Sequence, residues 1–188
     1  MGQVKPWHKI GNPRELAKKF GKWLIAQDFE NPSTAKIEEF ILYGQRDWSI
    51  VLPVTQTGMV VTVHQYKQVC DSIIHELPAG TADFKEETPE DVMRRELLEE
   101  TGYAPEIVIA LGKGWIASRS SPTCAHLFLA FHCSKTQNAK IDASEEIETE
   151  LVPLQKWIDL CVKAAITDWS SVVTTLRALP FLGFRIER

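Results

Sequence analysis

The chain has 188 residues, 44% of them hydrophobic, with 21 Lys and Arg against 25 Asp and Glu and a formal net charge of −4. That is enough chain for one domain with a real core and a small extension. The basic residues are dispersed, which excludes the basic stripe that a nucleic-acid backbone demands, and no stretch approaches the roughly 20 apolar residues of a membrane span.

The N-terminal stretch "MGQVKPWHKIGNP" has no apolar run, and Pro6 stands where a myristoylation signal needs Ser or Thr. A cytoplasmic protein is therefore expected. Cys70, Cys124, Cys133 and Cys161 form no CxxC pair, and they read as reduced, buried thiols. The first strands are expected over 22–30 and 36–44, separated by Asn31-Pro32-Ser33. "DWSIVLPVT" and "MVVTVHQYK" follow as a hairpin turned by Gln56-Thr57-Gly58, and "SIIHELPAG" adds a short strand. Beyond an acidic segment, "EIVIALGKG", "HLFLAFHCS" and "EIETELVPL" carry strand patterns. Two helices end the chain, one with the apolar stripe Leu154, Trp157, Ile158, Cys161 and Ala165. The other has Trp169, Val172, Val173, Leu176 and Leu179, and is closed by Pro180. The pattern is mixed α/β, with strands on both sides of a central helix.

Thr88 can cap that central helix, with Pro89 at its first position and Asp91 three residues after the cap, and Gly102 supplies the stop. Six Glu residues fall between Glu86 and Glu100. At 100° per residue, Glu96, Glu99 and Glu100 share one face while Leu97 and Leu98 point elsewhere. An acidic run usually faces water, and like charges one turn apart cost only a few tenths of a kcal/mol. Here, however, Pro78-Ala79-Gly80 sets a tight turn ahead of the helix, and grouped hard oxygens suit Mg²⁺ or Mn²⁺.

Arg95-Glu96-Leu97-Leu98-Glu99-Glu100-Thr101-Gly102-Tyr103 matches the second half of a Nudix box, and seven residues separate Glu87 from Arg95. The chain thus resembles the Nudix hydrolases. It departs from them in having six residues between Gly80 and Glu87, one more than the pattern, which leaves Glu86 and Glu87 as alternatives for one position. The resemblance implies an α/β/α sandwich with a mixed sheet over residues 46–188, and a β-rich N-terminal extension, residues 1–45, that builds a homodimer. It also implies metal-dependent hydrolysis of a nucleoside diphosphate linked to another group, with two or more Mg²⁺ or Mn²⁺ ions. Glu96 and Glu100 would be the main ligands, Glu99 a ligand or a partner of the ligands, and the Ala79 carbonyl a further one. Arg95 would orient the carboxylates.

The region before the box is similar to the ADP-ribose and nucleotide-sugar pyrophosphatase branch. Gln65-Tyr66-Lys67 and Glu76 match its substrate strand, with Lys67 in place of the usual Arg. Ser121, Pro122 and Thr123 stand where the branch carries Ser-Pro-Gly, Thr123 replacing the Gly. A catalytic-loop carboxylate is implied at Glu145, with Glu146 as fallback and Glu148 also near. Trp48, beside Arg46, is the better aromatic for stacking on a nucleobase; Trp23 reads as core. The five histidines have no metal spacing, and His64, His75, His126 and His132 read as ordinary strand positions. The expected substrate is ADP-ribose or a related nucleotide sugar. Rival readings are a nucleoside-triphosphate or oxidised-nucleotide pyrophosphohydrolase, and a non-catalytic module that senses ADP-ribose.

Overall fold

The computed structural model describes residues 4–82, 86–141 and 146–184. The chain divides into two units, Met1–Arg46 with Trp115–Cys124, and Asp47–Gly114 with Ala125–Arg188. The first carries an antiparallel three-stranded sheet of β1 (His8–Lys19), β2 (Lys22–Glu30) and β3 (Ile37–Gly44) in that order. The strand patterns of β2 and β3 are plain in the sequence. β1 is not, because it is polar, almost wholly exposed and interrupted by register shifts. The Trp23 indole lies against Gly44, where a Cβ would collide with it.

The second unit is built on a mixed sheet whose main path runs β11 (Ile147–Pro153), β5 (Met59–Lys67), β4 (Trp48–Thr55), β10 (Cys124–Lys135) and β8 (Tyr103–Ala104). Three further strands join it: β6 (Ser72–Glu76) on β5, β7 (Ala79–Thr81) on β4, and β9 (Ile107–Trp115) on β10. β4 and β10 run parallel, and their continuous apolar runs fit burial on both faces. One face of β4 packs Ile50, Leu52 and Val54 against helices α2 (Leu154–Val162) and α3 (Trp169–Ala178), with Trp157 fully buried. From the other face, Val51 meets Met93 and Leu97 of helix α1 (Pro89–Thr101). Helices therefore cover both faces, as expected. Among the described residues, no helix is long and apolar enough to cross a membrane.

The stripe expected on α3 holds at Val172 and Val173, which pack partly buried against the core, and requires correction elsewhere. Trp169 and Leu176 are exposed, and the buried residues are Ser171, Thr174, Thr175 and Ala178. Hydroxyls can face the core here because each finds a partner. Thr175 Oγ1 donates to the Ser171 carbonyl and accepts from Trp157 Nε1 at 2.8 Å. The Ser171 hydroxyl accepts from the Leu77 amide at 2.9 Å. α2 also stops at Val162, so Ala165 lies beyond it.

Candidate active site

The site begins with the start of α1. Thr88 and Asp91 form a reciprocal capping box, Pro89 occupies the first turn, and Gly102 ends the helix at φ 77°. This fixes the rotation of the helix, and with it the direction of its carboxylates. β7 pairs with β4 through Ser49 opposite Gly80 and Ile50 opposite Ala79. Its backbone is thereby held against α1. A Cβ at Gly80 would fall on the Glu96 carboxylate, so only glycine allows that carboxylate to lie against the strand. The buried Glu100 accepts a hydrogen bond from the Ala79 amide at 3.2 Å.

Arg95 is the hub. Its Nε and Nη2 hold both oxygens of Glu87 at 2.8 and 3.3 Å, and Nη1 reaches Glu96 at 2.9 Å and Glu99 at 3.0 Å. Nη2 also donates to the Thr81 carbonyl at 2.9 Å. These contacts, with Glu87 first, raise the Arg95 pKa above its ordinary range and keep the guanidinium charged. They also separate the two loop carboxylates: Glu87 pairs with Arg95, whereas Glu86 is exposed.

The other predicted residues fall into four groups. Gln65, Lys67 and Glu76 come together on neighbouring strands, Lys67 Nζ bonding the Gln65 amide oxygen and lying 2.7 Å from Glu76. Burial pushes the Glu76 carboxyl above its ordinary value, and Lys67 opposes that push. Lys67 and Glu76 line an open pocket of about 550 Å³ with Ile74 and Asp168. Ser121, Pro122 and Thr123 belong to the first unit, as does Arg46. There, Thr123 exchanges hydrogen bonds with the Gln45 backbone at 3.0 and 3.1 Å, and the Ser121 hydroxyl accepts from the Thr123 amide at 3.3 Å. Trp48 packs on the core with Ile50, on the α2 and α3 side of the sheet. Of the loop carboxylates, Glu145 lies outside the described residues, and Glu146 and Glu148 are exposed.

Two of the histidines assigned ordinary strand positions are not isolated. Among the described residues, the trio whose donor atoms all lie within 4.8 Å of one another is His64, His75 and Glu150. Sequence spacing conceals it because the three sit on different strands. The usable signal was strand pairing, since His64 stands directly opposite His75.

A capped carboxylate helix, clamped by arginine against a glycine-bearing strand of a mixed sheet, defines a class. The NUDIX domain model matches residues 45–170, and the chain belongs to that family. The chain is similar to an ADP-ribose pyrophosphatase of Bacillus subtilis (strain 168), at 30% identity over 119 residues, 63% of this chain. It is also similar to a methanol dehydrogenase activator of Bacillus methanolicus, at 32% identity over 129 residues, 65% of this chain. It spans 64% and 66% of those relatives' own lengths. A crystal structure of an ADP compounds hydrolase has the same fold, with a TM-score of 0.84 at 16% identity, covering 97% of each chain.

Proposed function

We propose that the protein hydrolyses the diphosphate bond of ADP-ribose or a related nucleoside-diphosphate sugar, giving a nucleoside monophosphate and a sugar phosphate. The arrangement that carries this reading is the Arg95 hub, with Glu96 seated on Gly80 and Glu100 on the Ala79 amide. Its donors are all oxygens, and Gly80 leaves the Glu96 carboxylate close to strand backbone, a set that fits Mg²⁺ or Mn²⁺. Glu96 and Glu100 would hold such ions, with Glu99 and the Ala79 carbonyl beside them. Bound divalent ions supply charge neutralisation for the diphosphate and a more acidic water.

Arg95 holds the carboxylates in register through charge-assisted bonds, so that they need not reorganise during the reaction. Lys67 and Gln65 are placed to bind substrate, with Glu76 orienting Lys67. A loop carboxylate, Glu145 or Glu146, takes a proton from the attacking water. The water oxygen bonds to one phosphorus, and the bridging oxygen leaves with the other phosphoryl group. Residues 46–188 form the hydrolase domain and residues 1–45 a dimerisation extension of a cytoplasmic protein. The apolar side chains exposed on the first unit, among them Phe20, Ile37, Ile41 and Tyr43, support self-association.

Incubation with Mg²⁺ or Mn²⁺ and a panel of ADP-ribose, GDP-mannose, UDP-glucose and nucleoside triphosphates tests this proposal. AMP and ribose phosphate from ADP-ribose are expected. Pyrophosphate released from triphosphates alone would overturn the substrate assignment.

A further inference from the structure

β6, β5 and β11 lie side by side, with β5 paired to both. His64 on β5 stands opposite His75 on β6, and Glu150 on β11 stands opposite Thr62, two residues before His64. The two-residue period of strands puts these four side chains on one face. The imidazoles stack at 4.0 Å and 19°, and Trp157 of α2 meets His75 edge-on at 5.2 Å. One carboxylate oxygen of Glu150 is hydrogen-bonded to His64 Nε2 at 2.8 Å and lies 3.7 Å from His75 Nε2.

From this convergence we propose that His64, His75 and Glu150 form a second metal site, for a zinc-like divalent transition ion, with a fourth position open to water. Two imidazole nitrogens and one carboxylate oxygen suit such an ion far better than Mg²⁺, whereas α1 supplies only oxygens. Ligands about 2.0–2.1 Å from a tetrahedral ion stand roughly 3.3 Å apart. The two distances to the Glu150 oxygen, 2.8 and 3.7 Å, bracket that spacing, and seating an ion requires the stacked rings to turn so that both Nε2 atoms aim at it. The side chains keep 32%, 18% and 41% of their surface exposed, so an ion can enter from solvent.

A hydrogen-bonded His–Glu cluster is the plain alternative. What sets this cluster apart is that both Nε2 atoms and one Glu150 oxygen lie within 4.8 Å of one another, with only His64 hydrogen-bonded to that oxygen, so a cation seated among the three would meet all of them. On loading, the ion takes the place of the Nε2 protons, and each neutral ring carries its proton at Nδ1. Thr62 Oγ1, 2.8 Å from His75 Nε2, loses that partner but still donates to the Glu150 carbonyl at 3.2 Å. The ion would staple three strands. It would thereby stiffen β11, whose Thr149 hydroxyl donates to the Glu100 carbonyl at 3.4 Å.

Calorimetric titration of the chelator-stripped full chain with Zn²⁺, in excess Mg²⁺ that occupies the α1 carboxylates, tests the site. One equivalent should bind in the wild type and in Glu100→Gln. Binding should weaken at least tenfold in His64→Gln, His75→Gln and Glu150→Gln. Co²⁺ should develop visible absorption bands in the wild type that vanish in His64→Gln, and Zn²⁺ should raise the Tm of the wild type and of Glu100→Gln but not of the three site variants. If His75→Gln fails to fold, the partly exposed His64 and Glu150 decide the matter. No zinc binding in the wild type, binding that survives His64→Gln and Glu150→Gln, or binding lost in Glu100→Gln instead would each overturn the proposal.

Discussion

Among the described residues, the Arg95 guanidinium donates to three carboxylates and a strand carbonyl. A lysine retains the charge but cannot span that fan of acceptors. Arg95→Lys should lower kcat/KM by about 10–100-fold, the usual cost of losing a group that orients metal ligands; steady-state kinetics at saturating Mg²⁺ check it, and an unchanged value contradicts the role. Gly80→Ala places a methyl on the Glu96 carboxylate. It should cost about 1–3 kcal/mol in urea unfolding and most of the activity. The thiols make a separate case. Cys70 is exposed and Cys133 buried, and burial pushes the Cys133 thiol up to about 12. A thiol reagent at neutral pH should label Cys70 in the native protein and the other three only after unfolding. Because the folded value of Cys133 lies above its ordinary 9.0, the stability it contributes is complete below pH 9 and is lost as pH rises towards 12. Cys133→Ala should flatten the alkaline arm of the pH–stability curve.

Elements differ in how openly their sequences announce them. α1 is legible from end to end, because Thr88, Pro89, Asp91 and Gly102 each act within a few residues of the chain. β1 is concealed, since its side chains face water and only pairing with β2 holds it extended. α3 misleads because its inner face is hydroxylic, and hydroxyls are acceptable there only through partners on α2 and at Leu77 that no local pattern reveals. The carboxylate face of α1 is legible for the same local reason as its cap. The clustering of His64, His75 and Glu150 depends on register across three strands, and spacing along one strand cannot show it. Thr175→Val should strand the Trp157 indole N–H in the core and cost about 1–3 kcal/mol, measured by urea denaturation with an unchanged m-value.

At the scale of the molecule, the family match covers residues 45–170, while the first compact unit takes residues 115–124 as well as the N-terminal strands. A ten-residue excursion of this kind leaves no compositional mark. Under the dimer proposal, light scattering behind size exclusion should give twice the 21.3 kDa chain mass. Ile41→Lys, on the exposed face of β3, should then shift the population towards monomer. Under the proposed function the α1 carboxylates hold the divalent ions that hydrolysis needs, and ADP-ribose turnover with Mg²⁺ by Glu100→Gln beside the wild type, each with its fold verified by circular dichroism, tests that role. The variant is predicted to lose at least about 100-fold in kcat while keeping its fold, and undiminished turnover would contradict the account.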